Sequence, residues 1–199
     1  MTTMTTTKGK VVLVGAANGG KSAILRRLMY KEFDTDMRST IGMDFYTRRY
    51  PINLEKSITL QIWDTAGEER FKILMPAYLR NAQVAIIVFD LSSGNAPEQV
   101  TKWVNFVDRQ RGDETKLILV GNKADLKGIR RPSNAALKKL TAELDVPYFE
   151  TSALTGENIE ELFQLAAQLS VPVNQKDDPE TFRLDRTKSI IRAKNGCAC

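Results

Sequence analysis

Two hydrophobic periods alternate along the chain. Three continuous apolar runs are typical of strands that are buried on both faces of a sheet, and they cover residues 10–15, 84–91 and 116–121. Three further strands are predicted at residues 44–50, 57–63 and 147–150. Between the strands, apolar residues recur every three or four positions, which predicts helices that begin near Gly20 and lie around Val100 to Val107, Leu137 to Leu144 and Ile159 to Ala166.

This order predicts the architecture and the limits of the domain. Buried strands that alternate with helices indicate an α/β fold, in which a mostly parallel sheet is covered on both faces. Ligands of such sheets bind beyond the carboxyl ends of the strands. The periodic pattern occupies residues 9–170, so we expect a flexible N-terminus at residues 1–8 and a flexible tail at residues 171–199.

The composition, 42% hydrophobic and 27% charged, is that of an ordinary soluble domain. No apolar run approaches the roughly eighteen residues that span a bilayer, and the Thr-rich N-terminus lacks the apolar core of a signal peptide, so we expect a cytosolic domain. The absence of histidine excludes Ser-His and Cys-His catalysis. Residues 180–199 hold five basic and two acidic side chains, and this basic tail favours a membrane surface over nucleic acid as partner.

A phosphate-binding motif lies between the first predicted strand and the first predicted helix. The segment GAANGGKS, Gly15 to Ser22, matches the pattern G-x-x-x-x-G-K-S. In such a loop, backbone N–H groups surround phosphate oxygens at a helix N-terminus, Lys21 supplies a positive charge, and the Ser22 hydroxyl can reach Mg²⁺. A turn that is merely rich in glycine is the weaker interpretation.

A second motif predicts which base accompanies the phosphates. The segment GNKAD, Gly121 to Asp125, follows a buried strand, so its polar side chains emerge at the same sheet edge as the phosphate loop. The Asp125 carboxylate can accept the ring N–H and the exocyclic amine of guanine, and adenine has no such pair of donors. The alkyl stem of Lys123 can cover one face of the base. Alone, this motif would be a solvated turn; after a phosphate loop it favours guanine.

The chain resembles a Rab-type small GTPase of the Ras superfamily over residues 8 to about 170 and again at its C-terminus. The resemblance is carried by GAANGGKS, STIGMDF, LQIWDTAGEERF, VGNKADL, ETSAL and CAC, and finer similarity at residues 74–91 and 101–126 is to the Golgi-associated branch. It implies a P-loop three-layer α/β sandwich, with a six-stranded, mostly parallel sheet, one antiparallel edge strand and about five helices.

The resemblance also implies the residues of the site. GTP or GDP would be bound by Gly15, Ala17, Asn18, Gly19, Gly20, Lys21, Ser22, Ala23, Phe33, Thr40, Gly67, Asn122, Lys123, Asp125, Ser152 and Ala153. Mg²⁺ would be held by Ser22, Thr40 and Asp64, the last through water. Phosphoryl chemistry would use Lys21, Thr40, Gly67 and Glu68. Without these motifs, the pattern alone would place Thr40 in a loop and Phe33 in the core.

An effector surface and a lipid anchor are implied in the same way. The effector surface would comprise Ile41, Gly42, Phe45, Trp63 and Tyr78, although the alternation along its strand would also suit Trp63 as a core residue. The terminal Cys197 and Cys199 fit double geranylgeranylation, because two lipid chains anchor a protein stably where one does not.

The family further implies partners and a location. The partners would be an exchange factor, an activating protein, effectors, a prenylation escort and a GDP-dissociation inhibitor, but not nucleic acid. We expect a monomer on the cytoplasmic face of endomembranes, at the Golgi, that exchanges with a cytosolic pool.

Three positions depart from the family pattern. Asn18 and Met37 stand where glycine and an aromatic residue are more usual, and Glu68 stands where a glutamine normally orients the attacking water. An ionised carboxylate can accept a hydrogen bond from water but cannot donate one to the γ-phosphate. We therefore expect altered intrinsic hydrolysis, of either sign, with nucleotide binding intact.

Two alternatives to a hydrolysing switch remain at this point. The first is a scaffold that holds GTP and hardly hydrolyses it, for which Glu68 is the indication. The second is a phosphate-loop kinase that acts on a small metabolite. The kinase is disfavoured because the NKAD and TSA segments fit guanine and no acceptor-site pattern is present.

Overall fold

The computed structural model describes residues 5–36, 40–67, 73–129 and 134–172. Six strands and five α-helices lie in these ranges. In chain order they are β1 (Thr5–Val14), α1 (Lys21–Tyr30), β2 (Met43–Pro51), β3 (Lys56–Thr65), α2 (Met75–Leu79), β4 (Val84–Asp90), α3 (Ala96–Arg111), β5 (Lys116–Asn122), α4 (Asn134–Leu144), β6 (Tyr148–Glu150) and α5 (Ile159–Leu169).

The strands form one sheet in the order β2-β3-β1-β4-β5-β6. Strand β2 at one edge is antiparallel to β3, and the other pairings are parallel. The predicted fold class is therefore confirmed. The antiparallel pair arises because a short turn joins β2 to β3, whereas parallel neighbours require a longer crossover connection.

A separate apolar core covers each face of the sheet. On one face, α1 and α5 pack against the strands through Leu25, Leu28, Leu162 and Phe163. On the other face, α2 and α3 do so through Met75, Leu79, Val100 and Trp103. Both faces of the central strands are consequently buried, which explains why β1, β4 and β5 read as continuous apolar runs.

Strand β1 begins five residues before the predicted apolar run. Thr5 pairs with Lys56, and the ladder with β3 continues from there to Leu13. The side chains of Thr6 and Ser57 are joined by a hydrogen bond of 3.0 Å. The segment predicted to lie outside the domain, residues 1–8, thus contributes four residues to the sheet. Hydrophobicity could not show this, because the overhanging part of β1 is exposed and polar.

The C-terminal part of the chain is described only to residue 172. Within the described ranges, the helices are all too short or too polar to cross a membrane. Most of the predicted tail, with Cys197 and Cys199, lies outside the described residues.

Candidate functional site

The site lies where the parallel strands end. Strand β1 ends at Val14, directly before the phosphate loop, and β3, β4 and β5 end in Asp64 and Thr65, Asp90 and Asn122. Adjacent parallel strands place these ends at one edge, where Leu13 pairs with Asp64 and Asp90 with Asn122. The fold therefore brings polar side chains from distant parts of the sequence together.

Close packing requires glycine in the phosphate loop. A Cβ atom on Gly15 would lie 2.1 Å from the Val88 carbonyl oxygen, and one on Gly20 would lie 2.2 Å from Asn122 Nδ2. Gly20 also has a φ of 90°, in the left-handed region that side chains disfavour. Gly19 is buried beside them, and Ala17 is exposed at the tip of the loop.

Asn18 shows how the loop accommodates a residue that replaces the more usual glycine. Its φ is 61°, and its side chain is exposed. Asn tolerates the left-handed region better than most residues other than glycine. The substitution therefore fits the backbone of this loop.

Lys21 is a buried cation at the start of α1. Its Nζ donates to the carbonyl oxygens of Gly15, at 3.0 Å, and Ala16, at 2.9 Å, and its exposed fraction is 5%. Burial lowers the pKa of Lys21 to about 8, and the nearby Asp64 carboxylate limits the decrease. Two carbonyl dipoles accept from two of its three N–H groups without cancelling its charge, which suits an anionic ligand.

Three oxygen-bearing side chains converge beside Lys21. The hydroxyls of Ser22 and Thr40 are 2.6 Å apart. Asp64 is fully buried, and neither of its carboxyl oxygens makes a hydrogen bond of normal geometry to a described residue. Burial raises the pKa of Asp64 to about 6, while the Ser22 hydroxyl and Lys21 hold it lower than burial alone would.

These residues fit a magnesium ion. Mg²⁺ prefers oxygen ligands and is usually held by one or two carboxylates and hydroxyls together with phosphates and water. A buried carboxylate without a hydrogen-bond partner is unfavourable unless a cation or donor completes it. Ser22, Thr40 and Asp64 would hold the ion, which would neutralise phosphate charge when bound.

Gly67 lies against the phosphate loop. A Cβ atom there would lie 2.5 Å from the backbone nitrogen of Ala17 and 2.6 Å from Lys21 Nζ, so no larger residue fits without movement. The neighbouring Ala66 N–H donates to the Gly42 carbonyl at 3.0 Å. The loop that carries Thr40 is thereby joined to the segment that carries Gly67. The predictions for Glu68 and Met37 lie outside the described residues.

Asn122 joins the phosphate loop to the predicted base-binding segments. Its Nδ2 donates to the Gly19 carbonyl at 3.0 Å, and its Oδ1 accepts from the Thr151 hydroxyl and the Ala153 N–H. The side chain is buried. The structure therefore gives this residue a bridging role that its motif alone does not show.

The remaining base-site residues lie beyond the ends of β5 and β6. The Ser152 hydroxyl donates to Asp125 Oδ1 at 2.5 Å, which fixes the carboxylate. Ala153 is buried beside it, Phe33 is partly exposed after α1, and Ala23 packs on the core from α1. Asp125 and Ser152 thus lie together as the guanine prediction requires.

The sequence analysis did not identify two further side chains of this region, Arg27 and Asp90. Arg27 on α1 donates from Nε to the Ala153 carbonyl at 2.8 Å and from Nη2 to the Leu154 carbonyl. Asp90 at the end of β4 pairs with Lys123 at 2.7 Å. Asp90 could have been noticed in the sequence, because it is a carboxylate at the end of a predicted buried strand. Nothing in the local pattern indicated Arg27.

The sequence model of the Ras family matches residues 10–171, most of the chain. The chain belongs to the Ras family. Ras-family proteins are small GTP-binding switches that bind GTP and GDP, typically with Mg²⁺, and have GTPase activity. They generally interact with exchange factors, activating proteins and effectors.

The Ras-family domain also carries an aromatic cluster on its surface. The ring centroids of Phe45 and Trp63 are 5.6 Å apart, and those of Trp63 and Tyr78 are 6.2 Å apart. Trp63 is half-buried, with Lys10 Nζ 4.1 Å from its ring centroid. Nearby in sequence, Ile41 is 86% exposed. Trp63 therefore combines the core and surface positions that the sequence left as alternatives.

Proposed function

We propose that this Ras-family chain is a Rab-type switch that binds GTP and GDP with Mg²⁺, hydrolyses GTP and recruits effectors to membranes in vesicle traffic. The observation that carries the nucleotide part is the buried Asp64 carboxylate, which lies beside the Ser22 and Thr40 hydroxyls and whose two oxygens make no hydrogen bond of normal geometry to a described residue. This arrangement lies at the same sheet edge as Asp125. The edge can therefore receive a metal, phosphates and a guanine base together.

The switching part of the proposal concerns Thr40 and Gly67. Bound Mg²⁺ and the γ-phosphate would attract the Thr40 side chain and the Gly67 backbone, which the Gly42–Ala66 hydrogen bond already joins. Lys21, at the start of α1, would bind the phosphate oxygens with its ammonium. Loss of the γ-phosphate removes one shared partner of both segments, so both can relax in the same step.

The Rab-type part rests on sequence motifs and two supporting aromatic contacts. The segments IGMDF and WDTAGEERF resemble Rab proteins more than other branches. The contacts among Phe45, Trp63 and Tyr78 support an aromatic effector surface, because its residues lie next to the two segments that would respond to the γ-phosphate. Effectors that bind this surface could read the nucleotide state.

Hydrolysis is tested by single-turnover release of phosphate from the GTP-loaded full chain and from Glu68→Gln. We expect both to hydrolyse GTP, at different intrinsic rates, because only glutamine can donate to the γ-phosphate while accepting from water. An activating protein supplied to both provides the matched comparison. Equal rates would remove any special role for Glu68. Retention of GTP without phosphate release, even with an activator, would favour the scaffold.

The membrane part is tested with a fluorescent fusion. We expect the parent chain to localise to endomembranes of the Golgi and the double variant Cys197→Ser, Cys199→Ser to remain in the cytosol, because the variant has no cysteine to prenylate. The two versions differ only in two sulfur atoms, so the comparison isolates the anchor. Identical distributions would contradict the proposed lipid attachment.

A further inference from the structure

Lys123 makes an ion pair that no phosphate or base motif predicts. Its Nζ lies 2.7 Å from Asp90 Oδ2, and both side chains are partly buried, with exposed fractions of 34% for Lys123 and 20% for Asp90. The two residues are 33 positions apart and lie at the ends of neighbouring strands. Lys123 itself has a φ of 66°, a conformation that non-glycine residues adopt infrequently and that is concentrated at ligand-binding sites.

The second carboxyl oxygen of Asp90, which does not pair with Lys123, is held by Ser92. Its Oδ1 accepts from the N–H and from the hydroxyl of Ser92, each at 2.7 Å. The backbone is fixed as well, because Asp90 pairs with Asn122 across the sheet and the Leu91 N–H donates to the Asn122 carbonyl at 3.0 Å. One carboxyl oxygen thus belongs to a turn, and the other is directed to Lys123.

The Lys123 side chain is therefore held at both of its ends. The backbone of Lys123 follows the end of β5, and its ammonium is held at the end of β4. The four carbons between them must therefore lie along the sheet edge that carries Asn122 and Asp125. A free lysine in this place would sample many rotamers, and ordering it on a ligand would be entropically unfavourable.

We propose that Asp90 is a positioning residue of the guanine site, which holds the Lys123 side chain extended so that its stem covers the base and slows nucleotide release. The inference rests on the proposed guanine-nucleotide function. It assigns to Asp90 a ligand-dependent role beyond its hydrogen bonds to Ser92.

The experiment measures dissociation of fluorescent GDP from the full chain, with Mg²⁺ and an excess of unlabelled GDP. Asp90→Asn keeps an oxygen acceptor for Ser92 but loses the charge that pairs with Lys123. Lys123→Met keeps a stem of similar length without the ammonium. Ser92→Ala is the matched control, because it removes one hydrogen bond to Asp90 and leaves the ion pair.

We expect Asp90→Asn to release GDP about threefold to tenfold faster than the parent, as suits a partly buried ion pair. Ser92→Ala should remain within about twofold of the parent. In the Lys123→Met background, Asp90→Asn should have no further effect, because its role acts through the ammonium.

A purely structural role would give a different result. The same acceleration in both backgrounds, or no acceleration in either, would overturn the proposal. A melting temperature for each GDP-bound variant shows whether the variants are folded. If the parent itself fails to bind GDP, the proposed function fails first, and this outcome is distinct from a parent that binds GDP while Asp90→Asn matches it.

Discussion

In the base-binding half of the site, at the ends of β4, β5 and β6, the charged side chains bond mostly to one another. The phosphate-binding half, at the ends of β1 and β3, contains charges that its own side chains do not satisfy. In the first half, Asp125 accepts from Ser152 and Lys123 pairs with Asp90. In the second half, neither oxygen of Asp64 makes a hydrogen bond of normal geometry to a described residue, and Lys21 bonds only to carbonyl groups in the described contacts.

The difference indicates where a ligand is needed. A buried, incompletely paired charge is unfavourable for the protein alone and becomes favourable when an opposite charge arrives. We therefore expect the phosphates and Mg²⁺ to stabilise the first turn of α1 and the end of β3, while the base pocket is largely formed beforehand. Asn122 makes hydrogen bonds to both halves, so it fixes the position of one half relative to the other.

The largest effect on nucleotide affinity should come from a substitution in the base-binding half. In Asp125→Asn, the amide oxygen can keep the hydrogen bond from Ser152, and the amide nitrogen then presents donors to the base. Guanine also presents donors there, whereas the base xanthine presents a carbonyl oxygen. We expect guanine-nucleotide affinity to fall about a thousandfold and xanthine-nucleotide affinity to rise. Competition binding measures both.

The control for this change is Asp145→Asn. Asp145 is exposed and has a φ of 48°, which asparagine also tolerates, so this variant should bind GDP like the parent. Unchanged base preference in Asp125→Asn would show that the carboxylate does not face the base.

The next effect should arise at the buried cation. Lys21→Ala removes the ammonium nearest the predicted phosphates, and we expect GDP affinity to fall about a hundredfold. The variant also removes an unfavourable buried charge, so its nucleotide-free form should be no less stable than the parent. Equilibrium competition and urea unfolding test these two expectations. Lys102→Ala, an exposed lysine on α3, should change neither, and comparable loss there would contradict the assignment.

A smaller effect should appear at Asp64. Chelation of Mg²⁺ should accelerate GDP release from the parent about tenfold, and Asp64→Asn should release GDP quickly with or without the metal. If Asp64→Asn kept the full response to chelation, the carboxylate would not be a metal ligand. Asp108→Asn on α3 is the control and should respond like the parent.

Asp64 also predicts a pH dependence of the nucleotide-free protein. Burial raises the pKa of this carboxyl from 3.8 to about 6, so the folded state binds the proton more tightly than the unfolded state. Its stabilising contribution is present below the unfolded value and is lost as pH rises through about 6. Between about pH 4.5 and 7, the parent should lose about 2 kcal/mol of unfolding free energy relative to Asp64→Asn. A parallel pH profile for both proteins would contradict the raised pKa.

The sequence predicted the elements whose residues have a strong period. Strands β4 and β5 and helices α3 and α5 lie at their predicted positions, because burial on two faces or on one helical face leaves a clear hydrophobic pattern. Helix α2 was not located, since five residues are too few to show a period. The start of β1 was missed for a different reason. Its exposed threonines pair through backbone groups, which leave no hydrophobic pattern in the sequence.

The candidate site divides in the same way. Motifs specified Lys21, Ser22 and Asp125, because a phosphate loop and a base pocket require particular residues at fixed spacing. The contacts of Arg27 and Asp90 join residues 126 and 33 positions apart, and no local pattern encodes such pairs. The sequence also did not show that one half of the site is self-satisfied and the other is not.

The most direct test of the central claim is competition between GDP and ADP for the full chain, measured in Mg²⁺ and again after chelation. We expect GDP to displace a fluorescent guanine nucleotide at least about a hundredfold better than ADP does, because guanine offers paired donors to Asp125 and adenine does not. We also expect chelation to weaken GDP binding, because Asp64 and the phosphates then lack their shared cation. Equal displacement by ADP, or GDP binding that ignores chelation, would contradict a guanine-nucleotide and magnesium site at this sheet edge.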